Sequence, residues 1–225
     1  MEFFDRAYEG SPLWETGRPQ PEFVRLEEEG EIVGRVLDVG CGTGETAIYL
    51  ARRGHPVWGI DFAPNAIRKA KQKANERGVN VRFQEASALS LGDLGATFDT
   101  AIDSGLFHVF LDAHRPVYAE NVRKVLVPGG RLYLLSFCEE EPTDWGGPRR
   151  VTQSEIREAF HDGWNVWSIR PARFEVTIPG VKGRAWLAEL RRTPDAADVK
   201  GPIVRGRSEV GGTSTARGDA GPPRH

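Results

Sequence analysis

The stretch Leu37-Asp38-Val39-Gly40-Cys41-Gly42-Thr43-Gly44 constrains the fold more than any other part of this 225-residue sequence. The apolar run 36–39 breaks into three alternating glycines, and 46–53 behind them has helical composition and stops at Gly54. A strand, a glycine turn and a helix in that order place bare backbone near a helix N-terminus, where a ligand can come close. Asp61 follows about 20 residues later, at the end of the next apolar run 56–60, where a carboxylate can bind a ribose diol. The turn therefore predicts a nucleoside ligand on an α/β domain.

The alternation continues downstream. Pro64 opens a helix with Ile67, Ala70 and Ala74 on one face and Gly78 at its end, while 79–83 and 98–102 read as the third and fourth strands. A helix from Asp112 carries Tyr118, Val122, Val125 and Leu126 at helical spacing and gives way at Pro128-Gly129-Gly130 to the apolar strand 131–137. Thr152 and Glu155 have capping-box spacing ahead of Ile156, Ala159 and Phe160. The runs 165–178 and 184–191, split by Pro179-Gly180, predict a closing antiparallel hairpin. This order predicts an α/β, Rossmann-like, mainly parallel sheet with helices on both faces. Residues 1–35, broken by Pro12, Pro19 and Pro21 with helix only around 24–32, predict a flap or cap over a domain at 36–193. Beyond it aromatics vanish and 194–225 reads as a disordered tail.

Charge and cysteine usage narrow the partners. Thirty Lys and Arg against thirty-two Asp and Glu leave a formal charge of −2, so no net positive field draws the chain to nucleic acid. No run of about 18 apolar residues occurs, and the opening MEFFDRAYEG has neither a basic n-region nor an apolar h-region, so neither a membrane span nor secretion is expected. Cys41 and Cys138 lie far apart and outside any C-x-x-C spacing, which indicates neither a disulfide framework nor a metal site and fits a reducing cytoplasm. A small molecule is the expected partner; monomer and homodimer both stay open.

Two nucleoside cofactors compete for the turn. The dinucleotide fingerprint G-x-G-x-x-G needs glycine at position 45, and Glu45 stands there, a carboxylate beside the place a pyrophosphate would occupy. Pyrophosphate would be repelled there. With its G-x-G-x-G spacing and Asp38 ahead of it, 36–62 resembles the first motif of class I S-adenosylmethionine-dependent methyltransferases, whose cofactor has no phosphate and carries an ammonium that Asp38 and Glu45 can attract. Val127-Pro128-Gly129-Gly130-Arg131-Leu132 is similar to the turn that leads into their fifth strand, and the likeness spans 36–192. It implies seven strands in the order 3-2-1-4-5-7-6, S-adenosylmethionine as cofactor, and cofactor contacts from Asp38, Gly40, Cys41, Gly42, Gly44, Asp61, Phe62 and Asp103. The family usually has an Asp after the third strand for the adenine amine. Here Ser87 stands in that place, so the Ser87 hydroxyl and the Ala88 backbone are expected to serve.

The acceptor is narrowed by what the motifs lack. No Asp/Asn-Pro-Pro-Tyr/Phe follows the fourth strand, where Asp103-Ser104-Gly105-Leu106-Phe107-His108 stands, and Cys138 follows Phe137 rather than proline. Asp103 has no grouped ligands for magnesium. The flap segment Leu13-Trp14-Glu15-Thr16-Gly17-Arg18-Pro19-Gln20-Pro21, the stretch DSGLFHVF and the insert 139–150 resemble a bacterial group related to thiopurine and thiol methyltransferases, nearest to those acting on heterocyclic toxins. This likeness implies methyl transfer to O, S or N of a small heteroaromatic or thiol acceptor, with Trp14 over the cofactor and Phe107 and Trp145 as acceptor walls. His108, just beyond the fourth strand, is the candidate general base because imidazole titrates near neutral pH; a packing role competes with it. A nucleotide-dependent oxidoreductase and a catalytically silent S-adenosylmethionine-binding module are the rival functions, the second kept open by Ser87.

Overall fold

The apolar run at 36–39 forms strand β1 (Val36–Val39), buried along its whole length. The computed structural model describes residues 2–142, 147–178, 181 and 183–195. In it β1 lies between β2 (Val57–Asp61) and β4 (Phe98–Ser104), parallel to both. β3 (Arg82–Glu85) extends the sheet beyond β2, and β5 (Leu126–Phe137) extends it beyond β4. Two antiparallel strands complete it: β7 (Arg184–Arg192) pairs with β5, and β6 (Trp164–Arg173) forms the outer edge. The order is β3-β2-β1-β4-β5-β7-β6, as the resemblance implied.

Successive residues of β1 serve opposite faces, as a strand buried on both sides requires. Leu37 and Val39 pack with Phe98, Tyr118, Val122, Ile156 and Phe160, beneath helices α5 (Arg115–Val125) and α6 (Gln153–Ala159). Val36 packs on the other side with Ile48, Leu50, Ile67 and Ala70 of α3 (Glu45–Arg52) and α4 (Pro64–Glu76), and with Phe23 and Leu26 of α2 (Pro21–Glu28). Each fully buried aliphatic or aromatic side chain contributes about 1.5–3 kcal/mol, so the two layers hold the strand ends in fixed register. The predicted capping box forms: Thr152 Oγ1 accepts the Glu155 amide and the Glu155 carboxylate accepts the Thr152 amide.

Three departures from the sequence reading affect the site. The third strand starts at Arg82 rather than at 79, because the Val79 amide turns back to Ala74 O and closes the end of α4. The sixth strand stops at Arg173, so 174–178 leave the sheet. A short helix that proline punctuation did not reveal, α1 (Glu2–Ala7), sits at the start of α4, where Asp5 accepts from the Asn65 amide at 2.9 Å and from its side chain at 3.0 Å. At the other end contacts continue past Thr193, since Asp195 pairs with Arg123 and Arg192. Trp145, Pro179-Gly180 and 196–225 of the expected tail lie outside the described residues. No helix among the described residues is long and apolar enough to cross a membrane.

Candidate functional site

Strand β1 hands the chain to the glycine turn with Gly40 at φ 72° and Gly44 at φ 83°, a left-handed backbone that side-chain-bearing residues avoid. A Cβ on Gly40 would lie 3.0 Å from the Leu106 side chain, and one on Gly42 would lie 2.8 Å from Tyr8 Oη. One on Gly44 would lie 2.6 Å from the Phe83 ring, so Gly44 seats the turn on the sheet, whereas Gly40, Cys41 and Gly42 reach the cavity. Asp61, at the end of β2, receives the Gly42 amide on Oδ2 at 3.0 Å and the Ala63 amide on Oδ1 at 2.9 Å. With the Phe62 amide also bonded to it, the carboxylate still keeps acceptor capacity for a ligand. Burial raises the Asp61 pKa, and these amides oppose the rise.

A cavity of about 680 Å³ opens over the C-terminal ends of β1, β2 and β4, the crevice in which open α/β sheets bind ligands. Asp38, Asp61 and Phe62 line its β1–β2 end; His108, Phe110, Phe137 and Phe174 line its β4–β5 end, and Leu106 sits between them beside Gly40. Burial, with Asp103 and Asp61 nearby, pushes the Asp38 carboxyl up to about 8. Glu45 behaves otherwise than the sequence reading expected. Lys73 Nζ at 2.7 Å and the Arg77 guanidinium at 2.7 and 3.0 Å hold it, and although burial pulls the other way these partners lower its pKa. The carboxyl groups a cationic ligand can meet are therefore those of Asp61 and of Asp38, which loses its proton when such a ligand binds, while Glu45 is neutralised by its own cations. Lys73 and Arg77 are engaged by Glu45, and the described arginines that line the cavity are paired too, Arg18 with Glu175 and Arg149 with Asp112 and Glu155, so carboxyl groups outnumber open cations around the turn. That donor set fits a cationic nucleoside without phosphates and does not fit a pyrophosphate.

Two segments roof the cavity. Trp14 donates Nε1–H to Tyr8 Oη at 3.0 Å and stands edge-on to Phe4, which is edge-on to Phe62. Glu15 reaches down to the Thr43 hydroxyl, which also accepts from Lys73 Nζ at 2.6 Å, so the N-terminal segment is tied to the glycine turn. The second segment is 174–178. Gln20 exchanges two hydrogen bonds with the Glu175 backbone, at 2.8 and 2.7 Å, and Thr177 donates its amide and hydroxyl to Leu13 O. Phe174, Val176 and Ile178 face the cavity.

Beyond β4, Asp103 is sealed off rather than exposed to a ligand. It accepts from the Leu106 amide at 2.7 Å, the Phe107 amide at 3.1 Å and Tyr118 Oη at 2.6 Å, while burial pushes its pKa up to about 6 against those donors. Its role is to shape the tight turn Phe107–Val109. That turn sends Phe107 into the core, 0% exposed, against Tyr118 and Phe160 and under the Arg115 guanidinium, so Phe107 is no acceptor wall; Phe110 lines the cavity instead. His108 points the other way and lines the cavity in one cluster with Phe137 and Phe174. Its Nδ1 accepts the Phe137 amide at 3.3 Å, and burial, with Arg150 and Arg115 adding to it, pushes the imidazole down to about 3. Ser87 is exposed and its Oγ accepts the Leu89 amide, while Ala88 packs in the core; the structure brings neither to the cavity. Tyr8, Thr43, Glu15, Phe137 and Phe174 were missed. Only the alternation at 174, 176 and 178 signalled any of them, and it reads as strand.

Comparison with known proteins fits this geometry. Residues 36–130 match a family described as methyltransferase domain. Over 203 residues the chain is 38% identical to 2-heptyl-1-hydroxyquinolin-4(1H)-one methyltransferase of Mycobacteroides abscessus, covering 85% of this chain and 89% of that protein. It is 30% identical over 160 residues to probable thiol methyltransferase 2 of Arabidopsis thaliana, 70% of each chain. A solved structure from work on the conversion of a disulfide bond into a thioacetal group during echinomycin biosynthesis superposes with a TM-score of 0.80 at 35% identity, covering 88% of this chain and 93% of that one. The N-methyltransferase NodS of Bradyrhizobium japonicum, with S-adenosylhomocysteine bound, shares the fold at a TM-score of 0.68 and 19% identity over 86% of this chain and 98% of that one.

Proposed function

This chain belongs to the class I S-adenosylmethionine-dependent methyltransferases, and on that premise we propose that it methylates an oxygen, sulfur or nitrogen of a small heteroaromatic or thiol acceptor. The observation that carries the reading is one roofed cavity with carboxylates at the glycine turn and four rings, His108, Phe110, Phe137 and Phe174, at its far end. The relatives that act on a hydroxyquinolinone and, by name, on thiols support the same acceptor class.

In this proposal Asp61 accepts from the ribose hydroxyls, Phe62 packs on the adenine, and Gly40, Cys41 and Gly42 admit the ligand close to the backbone. Asp38 offsets the amino-acid ammonium. Trp14, held by Tyr8, covers the whole from above. When bound, the cofactor supplies a methyl group on a positively charged sulfur, open to direct displacement. The aromatic end excludes water and orients the acceptor, and alignment of this kind is worth about 7–11 kcal/mol of the barrier. Ser87, which alone spoke for a silent binding module, lies off the cavity wall and no longer favours that reading.

The test is a panel of thiophenols, thiopurines and 1-hydroxyquinolin-4-ones assayed for S-adenosylhomocysteine release. Turnover of at least one compound is expected. A protein that binds S-adenosylmethionine and turns over none of the panel would overturn the acceptor class.

A further inference from the structure

We infer that His108 is a fixed hydrogen-bond donor, through Nε2–H, to an acceptor that binds already deprotonated, and that it is not the base that removes the acceptor's proton. The inference rests on the proposed acceptor class and names how the same site selects within it.

Hydrogen-bond polarity carries it. A neutral imidazole has one N–H and one acceptor nitrogen. Here Nδ1 is the acceptor, because the Phe137 backbone amide donates to it at 3.3 Å, so the proton sits on Nε2. Nε2 makes no hydrogen bond with any described residue, and His108 lines the cavity. A histidine built as a base has the opposite arrangement: Nδ1–H donates to a carboxylate that steadies the imidazolium. No described carboxylate contacts this ring. The charged groups acting on it are Arg150 and Arg115, which disfavour a second proton.

The ring is also held in place. It stacks on Phe137 with centroids 5.3 Å apart and planes 13° from parallel, and Phe174, 5.8 Å from the imidazole and 4.8 Å from Phe137, completes a three-ring cluster. A Cβ on Gly105, at φ 84°, would lie 2.7 Å from Phe174 Cζ and 3.2 Å from His108 Cε1, so glycine lets the turn pack this closely against the ring cluster. The cavity is thus polarised: carboxylates at Asp38 and Asp61, and at the far end a rigid N–H donor in the field of two arginines. A cation suits the first end and an anion the second.

The chemistry balances without a protein base. The acceptor gives up its proton to water before it binds. Its heteroatom lone pair forms the new bond to the methyl carbon, and the carbon–sulfur bond breaks with its electron pair passing to sulfur. Sulfonium and anion become two uncharged centres, and no proton remains for His108 to carry. Acceptors with acidic heteroatoms, such as aromatic thiols and N-hydroxy heterocycles, are therefore preferred over phenols and alcohols of high pKa.

Two measurements on the full chain test this. The first is ¹⁵N imidazole NMR, with the His108 signals identified by their loss in His108→Phe. The Nε2–H tautomer, neutral from about pH 5 to 9, is expected; an Nδ1–H tautomer or a protonation within that range would overturn the inference. The second is kcat/KM for ring-substituted thiophenols across pH. Wild type should follow the thiolate fraction of each acceptor. His108→Phe should lose at least about tenfold and His108→Gln, which keeps a donor, should lose less, with both profiles still following the acceptor's own ionisation. A loss that grows with acceptor pKa, with Gln no better than Phe, would show a base. If the wild type methylates neither thiophenols nor hydroxyquinolones, the acceptor class fails, and the NMR measurement still decides the role of His108.

Discussion

Asp61 Oδ2 accepts the Gly42 amide at 3.0 Å, so the carboxylate facing the cavity is fixed by the same turn whose backbone it shares the cavity with. Residues 19 apart in sequence are thereby locked across the β1–β2 edge. The relation explains why a strand end and a glycine turn act as one binding unit.

Gly44 should act on stability and not on binding. Gly44→Ala puts a Cβ into the Phe83 ring at positive φ. The left-handed backbone costs about 1–2 kcal/mol and overpacking about 1–3 kcal/mol, so Tm should fall by roughly 2–4 °C for each kcal/mol. Calorimetry checks the fall, and cofactor affinity of the folded protein should stay near wild type. Lost affinity at an unchanged Tm would place Gly44 in the binding surface instead.

Cofactor binding should expel a proton. Asp38, at about 8 when buried without a ligand, holds a proton in the folded chain across a range where the unfolded chain has lost it. The stability of the free protein should therefore fall as pH rises from about 4 to 8, by up to about 1.4 kcal/mol per unit, with Asp103 adding the same sign up to about 6. A cation beside Asp38 favours the carboxylate, so affinity for S-adenosylmethionine should rise between about pH 6 and 8, by at most tenfold per unit. Titration calorimetry in buffers of different ionisation enthalpy reads the released proton. Asp38→Asn should abolish the release; its absence in wild type would contradict the assignment.

The roof should depend on Gln20, which is buried and exchanges two hydrogen bonds with the Glu175 backbone. Gln20→Ala leaves these groups unpaired, at about 1–3 kcal/mol, so the strap at 11–20 should be cut faster by protease and regain protection when S-adenosylmethionine is added. Equal cleavage rates in mutant and wild type would show that Gln20 does not hold the roof.

The glycine turn, Asp61 and the alternation of strand and helix were legible because they depend on local spacing, and the strand order followed from the family resemblance that the turn carries. The roof was not. Phe174, Val176 and Ile178 alternate as a strand does, but period two records that one face is buried and not what buries it. Phe107 and Phe110 occupy one tight turn, and only the grip of Asp103 on the Leu106 and Phe107 amides decides which ring enters the core. The partner of His108 is a backbone amide 29 residues away, which leaves no mark in side-chain chemistry. Glu45 reads as a free carboxylate until α4 brings Lys73 and Arg77, one turn apart, over it.

The most direct test of the central claim, that the Asp61 carboxylate and the glycine turn together hold the cofactor, is titration calorimetry of S-adenosylmethionine with wild type and Asp61→Asn. Asparagine keeps one oxygen acceptor for the turn amides, whereas alanine would leave the Gly42 and Ala63 amides unpaired and confound binding with stability. Loss of a charged acceptor worth about 1.5–3 kcal/mol should weaken the affinity of the folded protein at least about tenfold, while the one turn amide left facing the Asn NH2 costs the free protein about 1–3 kcal/mol, less than the two that alanine would orphan. Equal affinity in the two proteins would contradict the account.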